Sequence, residues 1–216
     1  MKYVIWDWNG TLFDDVDLCF KSMNLLLKKY NVAPIADISE YQSKFCFPVE
    51  EYYQKIGFDF SKTPFTQLAK EFMELYQPKS LHCALNKGVN TILPFLQNKG
   101  FRQVILSASK RDNLCQQVYS HKIEQYFENV LGIGDIFAKT KIDIATTWIH
   151  NTKTQPSNLL FVGDTLHDYE VAREIGCKCV LYSRGHQSID GKDIESGLLI
   201  NDLEKVGDIC DSLWIQ

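Results

Sequence analysis

Hydrophobic positions along the chain follow two periods that alternate. The first apolar run, Tyr3 to Trp6, is short and continuous, and Asn9–Gly10 stops it, which predicts a buried strand running into a turn. From Asp14 onward Leu18, Cys19, Met23, Leu26, Leu27 and Tyr30 recur every three or four residues, the spacing of an amphipathic helix, with Pro34 beyond it. Pro48 predicts the first turn of a second helix that carries Tyr52, Tyr53 and Ile56 and ends at Gly57. Thr63–Pro64 predicts the capped start of a third, with Leu68, Phe72, Leu75 and Tyr76 along one side. Residues 15–80 thus read as a small helical subdomain without an alternating strand.

After His82 the pattern changes. A helix is expected over 88–98 through Val89, Ile92, Leu93 and Leu96, with Gly100 as terminator and a bend or later start at Pro94. RQVILSAS (102–109) reads as a strand and the stretch to Phe127 as a helix. A weak strand is expected at 135–138 and a helix just after Lys141. LLFVGD (159–164) is the strongest strand, followed by a helix ending at Gly176, a strand at 177–182 and a last helix over 202–214. Short apolar strands alternating with helices imply an α/β fold, a parallel sheet covered on both faces in three α/β/α layers.

Composition narrows the function. The 216 residues can bury a full core, and a net charge of −4 gives no general attraction to nucleic acid or anionic lipid. No basic stripe interleaved with aromatics stands out, so nucleic acid is not an expected partner. No apolar run reaches membrane-spanning length, and MKYVIWDWNG lacks a secretory core, so a cytoplasmic protein is expected. Seven scattered cysteines agree with reduced thiols.

Three strand ends carry polar residues: Asp7, Ser107 and Gly163–Asp164. Ligands of parallel sheets bind outside the carboxyl ends of the strands. Asp164 and Asp168 are four apart and can both reach the amino end of the helix that follows, where Asp7 would join them. Three such anions repel unless a cation sits among them, and an all-oxygen site suits Mg²⁺. Asp168 could equally cap its helix. Lys141, at a loop–helix junction, would balance the carboxylates and attract an anion; Lys139 competes for that role.

In order, DWNGT (7–11), Ser107, Lys141 and GDTLHD (163–168) resemble the haloacid dehalogenase-like hydrolase superfamily, and the flavour is similar to its phosphoglycolate-phosphatase-like members. Thr11 and Ser107 lie 96 residues apart, which matches members with a helical cap inserted after the first strand. The resemblance implies a Rossmann-like core of residues 1–14 and 81–216 with a cap of 15–80, and a Mg²⁺-dependent phosphatase of a small phosphorylated metabolite. Asp7 would be the nucleophile that becomes an aspartyl phosphate. Metal ligands would be Asp7, the backbone carbonyl of Asn9, Asp164 and, directly or through water, Asp168. Ser107, Ala108 and Lys141 would hold the phosphoryl oxygens with the backbone amides of Trp8, Asn9, Gly10 and Thr11.

One position departs. Family phosphatases carry an aspartate where this chain has Asn9, and it protonates the leaving oxygen. An amide does not titrate, and the missing proton transfer is worth ~10²–10⁴-fold in rate. Three readings follow: a phosphatase with an easy leaving group or another proton source, a dehalogenase, or a phosphate- or metabolite-binding protein. GDTLHD is intact, which argues against dehalogenation. His82, His167 and His186 are able proton donors, with His167 nearest the motif. Phe45, Phe47, Tyr52 and Tyr53 are candidates for the mouth of the site, or for the core of the helical block.

Overall fold

The computed structural model describes residues 1–134, 140–194 and 198–214. Strand β1 (Tyr3–Trp6) is followed by a two-residue strand β2 (Phe13–Asp14), then helices α1 (Val16–Lys29), α2 (Ile38–Lys44), α3 (Val49–Lys55) and α4 (Phe65–Ser80). Strand β3 (Ala84–Leu85) pairs antiparallel with β2, so the chain returns from the helices beside the point where it left. Next come α5 (Val89–Asn98), β4 (Arg102–Lys110), α6 (Arg111–Ser120), β5 (Asn129–Ile133) and α7 (Lys141–Thr152). The chain closes with β6 (Leu159–Gly163), α8 (Leu166–Glu174), β7 (Lys178–Tyr182), β8 (Leu198–Ile200) and α9 (Lys205–Trp214).

Among the described residues, six strands form one parallel sheet in the order β5-β4-β1-β6-β7-β8. Alternation along β1 sends Val4 and Trp6 to one face, where they pack with Val89, Leu93, Leu96, Val206 and Cys210 of α5 and α9. Tyr3 and Ile5 face the other way, onto Ile144, Ala145 and Trp148 of α7 and Val171 and Ala172 of α8. The sheet is thus covered on both faces, as the continuous apolar strands require. A third cluster lies wholly within the helical segment: Leu26, Leu27, Tyr41, Tyr52, Tyr53 and Leu68 are all at most 2% exposed. Burying a side chain of this size fully contributes roughly 1.5–3 kcal/mol.

Several elements differ from the sequence expectation. Helix α6 stops at Ser120, and Lys122 takes a left-handed conformation (φ 55°), so the helix expected as far as Phe127 is broken by a turn that feeds β5. The periodicity hid β5, a half-buried edge strand interrupted by Gly132. A Cβ on Gly132 would come within 2.8 Å of the Ser109 carbonyl oxygen and the Arg111 Cα, so only glycine lets this strand lie against the irregular end of β4. The strand expected at 135–138 lies outside the described residues. β4 runs past Ser107 to Lys110 after a register shift beyond Leu106. Helix α2 was not expected; Asp37 caps it by accepting a hydrogen bond from the Glu40 N–H at 2.8 Å, while Glu40 accepts one from the Ala36 N–H. Helix α5 runs from Val89 through Pro94.

Candidate active site

Strand order reverses at β1: the chain moves outward through β4 and β5 on one side, then returns to continue through β6, β7 and β8 on the other. The crevice at the carboxyl end of β1 is where such a sheet binds ligands. Asp7 follows β1 directly, and its backbone N–H donates to the Val162 carbonyl of β6 at 2.8 Å. Asp164 follows β6, and Asp168 stands in the first turn of α8.

Carboxylate oxygens of Asp7, Asp164 and Asp168 lie within 4.8 Å of one another, and all three residues are buried. Lys141, the first residue of α7, reaches in from the opposite side: its Nζ donates to Asp7 Oδ1 at 2.5 Å and to Asp168 Oδ1 at 2.6 Å. Thr140 orients that helix start through a capping box with Asp143. Lys139 falls outside the described residues. The capping expected of Asp168 is present, and the same side chain stands beside Asp7 and Asp164. Its Oδ2 accepts from the Thr165 hydroxyl (2.8 Å), the Thr165 N–H (3.0 Å) and the Asp164 N–H (3.1 Å) as part of a capping box, while Oδ1 holds Lys141.

Three buried carboxylates face one ammonium, which leaves a deficit of two positive charges. Titration follows from that count. Burial disfavours the Asp168 charge, but Lys141 and the hydrogen bonds from Thr165 outweigh it and hold its carboxyl below the usual range. For Asp7, burial and the charges of Asp168 and Asp164 outweigh Lys141, and its pKa rises well above the ordinary value. Burial, against the His186 charge, pushes Asp164 up to about 6. Burial disfavours the Lys141 ammonium, yet Asp168 and Asp7 more than restore it and raise its pKa. Three converging carboxylates that cannot all stay ionised around a single ammonium fit a divalent cation, bound by oxygen atoms.

Around Asn9 lies a second set of partners. Its Nδ2 donates to Asp15 Oδ2 at 2.7 Å and to the Tyr76 hydroxyl at 3.1 Å, and its Oδ1 accepts from the Ser109 hydroxyl at 2.6 Å. Asp15 occupies the N-cap position of α1 but makes no side-chain cap. It turns inward instead, accepting from Tyr76 (2.7 Å), from the Gly10 N–H (3.0 Å) and from His186 Nε2 (3.0 Å). The other ring nitrogen of His186 pairs with the Tyr41 hydroxyl at 2.8 Å, and its backbone N–H donates to Asp164 Oδ2 at 2.6 Å. Burial works against the His186 charge, but Asp15, then Asp164 and Asp7, raise it to about 9. Burial alone would lift Asp15; His186, Tyr76 and Asn9 reverse that and lower it.

The sequence left Asp15, Tyr76, Tyr41 and Ser109 out of the site. The available signal was the second acidic residue of TLFDD, whose bulk pattern is that of a helix start. Of the three histidines considered, His186 joins the site; His167 stacks on Phe47 at 4.7 Å and lies 3.5 Å from Glu170; His82 sits in the turn after α4. The Gly10 and Thr11 N–H groups, expected to face a ligand, donate inside the turn to Phe13 and Trp8 carbonyls. Gly10 (φ 74°) is required for another reason: a Cβ there would strike His186 and the Asp164 carboxylate. Thr11 donates its hydroxyl to Asp164 Oδ1 at 3.0 Å, and the Trp8 side chain is buried away from the site on Gln117. Ser107 is buried, its oxygen accepting from the Ser109 N–H at 3.1 Å.

The three carboxylates, Lys141, Asn9, Asp15 and His186 line one cavity of about 550 Å³. Asp7, Asn9, Ser107, Ala108, Lys141, Asp164 and Asp168 form its floor, and Phe45, Phe47, Tyr52 and Tyr53 belong to the wall built by the helices. Tyr52 and Tyr53 serve the helical core as well, at 2% exposure each.

Residues 4–182 match the family model described as haloacid dehalogenase-like hydrolase. The chain is 27% identical over 215 residues to the phosphoglycolate phosphatase of Pseudomonas fluorescens (strain Pf0-1), covering 95% of this chain and 78% of that one. A predicted phosphatase from Clostridium acetobutylicum has the same fold, with a TM-score of 0.82 at 20% identity over 98% of both chains. CbbY from Rhodobacter sphaeroides, solved with xylulose-(1,5)bisphosphate, superposes with a TM-score of 0.72 at 17% identity over 96% of both. With an aspartate at the switch point, its lysine and two further carboxylates beside it, the chain belongs to the haloacid dehalogenase-like hydrolase family.

Proposed function

We propose that this hydrolase is a Mg²⁺-dependent phosphatase of a small phosphorylated metabolite and works through an aspartyl phosphate, an acyl phosphate formed on Asp7. One observation carries the reading: Asp7 sits at the switch point, held by Lys141 and within 4.8 Å of two further buried carboxylates. Asp7, Asp164 and the Asn9 carbonyl would hold the magnesium, with Asp168 beside them; when bound, the metal would neutralise charge on the phosphoryl group. A free Asp7 oxygen attacks phosphorus, the ester P–O bond breaks, and the leaving oxygen departs with the electron pair. Water then attacks phosphorus and releases the carboxylate, so one difficult displacement becomes two easier ones. Lys141 fixes the orientation of Asp7 and offsets its charge; with Ser107 and the amides of Trp8, Asn9 and Ala108 it would receive the phosphoryl oxygens.

Asn9 has no proton to deliver, and its amide is engaged by Asp15, Tyr76 and Ser109. That engagement favours a second reading, a slow enzyme or binder of phosphorylated compounds, over carbon–halogen cleavage, which needs no metal and would leave Asp164 and Asp168 without a purpose. The helices 15–80 act in this reading as a cap over the core formed by 1–14 and 81–216. All seven cysteines are free thiols, which suits a cytoplasmic protein, and among the described residues no helix is long and apolar enough to cross a membrane.

The test is a panel of phosphate esters with Mg²⁺, run on the native protein and on Asp7→Asn. Turnover by the native chain, a phosphorylated Asp7 trapped by rapid acid quench and mass spectrometry, and loss of roughly 10⁶-fold in the variant are expected. Undiminished activity in Asp7→Asn would remove the assigned nucleophile.

A further inference from the structure

The two walls of the cavity offer very different chemistry. From the helical segment come Met23, Phe45, Phe47, Phe72 and Met73 among others, and no lysine or arginine. Its one charged residue on the lining, Asp15, is bonded to His186. The polar groups nearby are engaged with one another: Tyr41 with His186, Tyr76 with Asp15, and Asn9 with Ser109. Tyr52 and Gln77 also line the cavity; Tyr52 Oη and Gln77 Oε1 lack a hydrogen-bond partner, but both atoms are out of solvent contact. Besides Lys141, the lining lysine is Lys110 at the end of β4, its side chain 70% exposed and its Nζ 3.7 Å from Asp112.

A second anionic group on the substrate would therefore lie against apolar surface, at the cost of an unpaired buried charge. The hydroxyls of a sugar would find Tyr41, Tyr76, Asp15 and Asn9 already bonded to other groups. An aromatic ring meets neither difficulty. A single benzene ring fills an apolar cavity on the order of 150 Å³, and about 550 Å³ is present here. Leaving-group chemistry points the same way. A phenol ionises near pKa ~10, like tyrosine, whereas an alkoxide approaches the basicity of hydroxide, with water near ~15.7. Only the former departs readily from a site whose position 9 is an amide.

We propose that the substrates of this site are aryl phosphates, monoesters of small phenols without a second charge, whose ring lies against Phe45, Phe47, Phe72 and Met73. The inference rests on the phosphatase reading above and narrows it away from phosphoglycolate, the substrate named for the relatives.

Calorimetry in Mg²⁺ with two non-hydrolysable compounds, phenylphosphonate and phosphonoacetate, tests recognition apart from turnover. Phenylphosphonate is expected to bind at least 10-fold more tightly; equal or tighter phosphonoacetate binding overturns the proposal. In kinetics, kcat/KM for phenyl phosphate is expected to exceed that for 2-phosphoglycolate at least 100-fold and that for benzyl phosphate, which has the ring but an alkoxide leaving group, at least 10-fold. Phosphoglycolate or a sugar phosphate turned over as well as phenyl phosphate would overturn the substrate class and leave the phosphatase reading standing. No binding of either phosphonate and no hydrolysis of any ester would remove both. Met73 is 39% exposed, so Met73→Lys is expected to fold; it should shift the phosphonate preference at least 5-fold toward phosphonoacetate, and an unchanged ratio would place the ring elsewhere.

Discussion

The floor and the helical wall of the cavity are built on opposite principles. The floor concentrates Asp7 and Asp164, at the ends of two paired strands, with Asp168 and Lys141, in the first turns of two helices, each nearly out of contact with water. The wall is mainly aromatic and aliphatic, and Tyr41, Tyr76 and Asp15 on it are already hydrogen-bonded to other groups. In the proposed reading the charged floor acts on the phosphoryl group, and a wall without lysine or arginine selects among substrates by what it refuses. Asp15 and His186 form the seam, where α1 and the loop after β7 meet.

This contrast breaks first at Lys141. Lys141→Met leaves the buried carboxylates without their cation and should cost about 3–5 kcal/mol of stability, measured by urea denaturation. Much of that loss should return in Mg²⁺. A variant as stable as the native chain without metal would mean the carboxylates are protonated and the floor uncharged.

At the seam, pH provides the next largest effect. His186 is raised from its ordinary value of 6.5 to about 9, so its interaction with Asp15 contributes fully below pH 6.5 and is lost as pH rises through about 9. A shift of that size corresponds to roughly 3 kcal/mol. Denaturation of the metal-free protein between pH 6 and 10 should show this decline, and His186→Asn should flatten it.

Magnesium should stabilise the native chain by about 2.7 kcal/mol at a concentration of 100 Kd, a rise in Tm of several degrees for a domain of this length. Asp164→Asn should abolish most of that rise, while Phe72→Ala on the wall should leave it intact. An equal effect of both would erase the division between the two surfaces.

The smallest effect concerns position 9. Asn9→Asp places a carboxylate where an amide now donates to Asp15 at 2.7 Å, and should destabilise by about 1–3 kcal/mol. Adding Asp15→Asn should recover part of that loss, a coupling of about 0.5–3 kcal/mol in the double-mutant cycle. Additive effects would mean the two positions are independent.

Legibility in the sequence follows the same division. Strands β1, β4, β6 and β7 show as apolar runs because both faces of the sheet are covered, and the residues at their carboxyl ends could be read directly. The edge strand β5, the short β8 and the β2–β3 ribbon bury too few side chains to leave a period. Asp15 could not be found that way, since an acidic residue ahead of a helix is the ordinary N-cap pattern, and its inward turn depends on Tyr76 and His186, 61 and 171 residues away. Tyr76 showed as part of an apolar stripe; the sequence gives no sign that its hydroxyl closes on Asp15.

Trp8 stands between Asp7 and Asn9, stacked on Phe13 with ring centroids 5.1 Å apart and its indole N–H bonded to Gln117 of the cavity lining. The chain therefore carries an optical gauge one peptide from the charge-dense floor. Occupation of that floor by an anion or a metal should register in the near-ultraviolet dichroism and tryptophan emission, a label-free signal for titrating ligands.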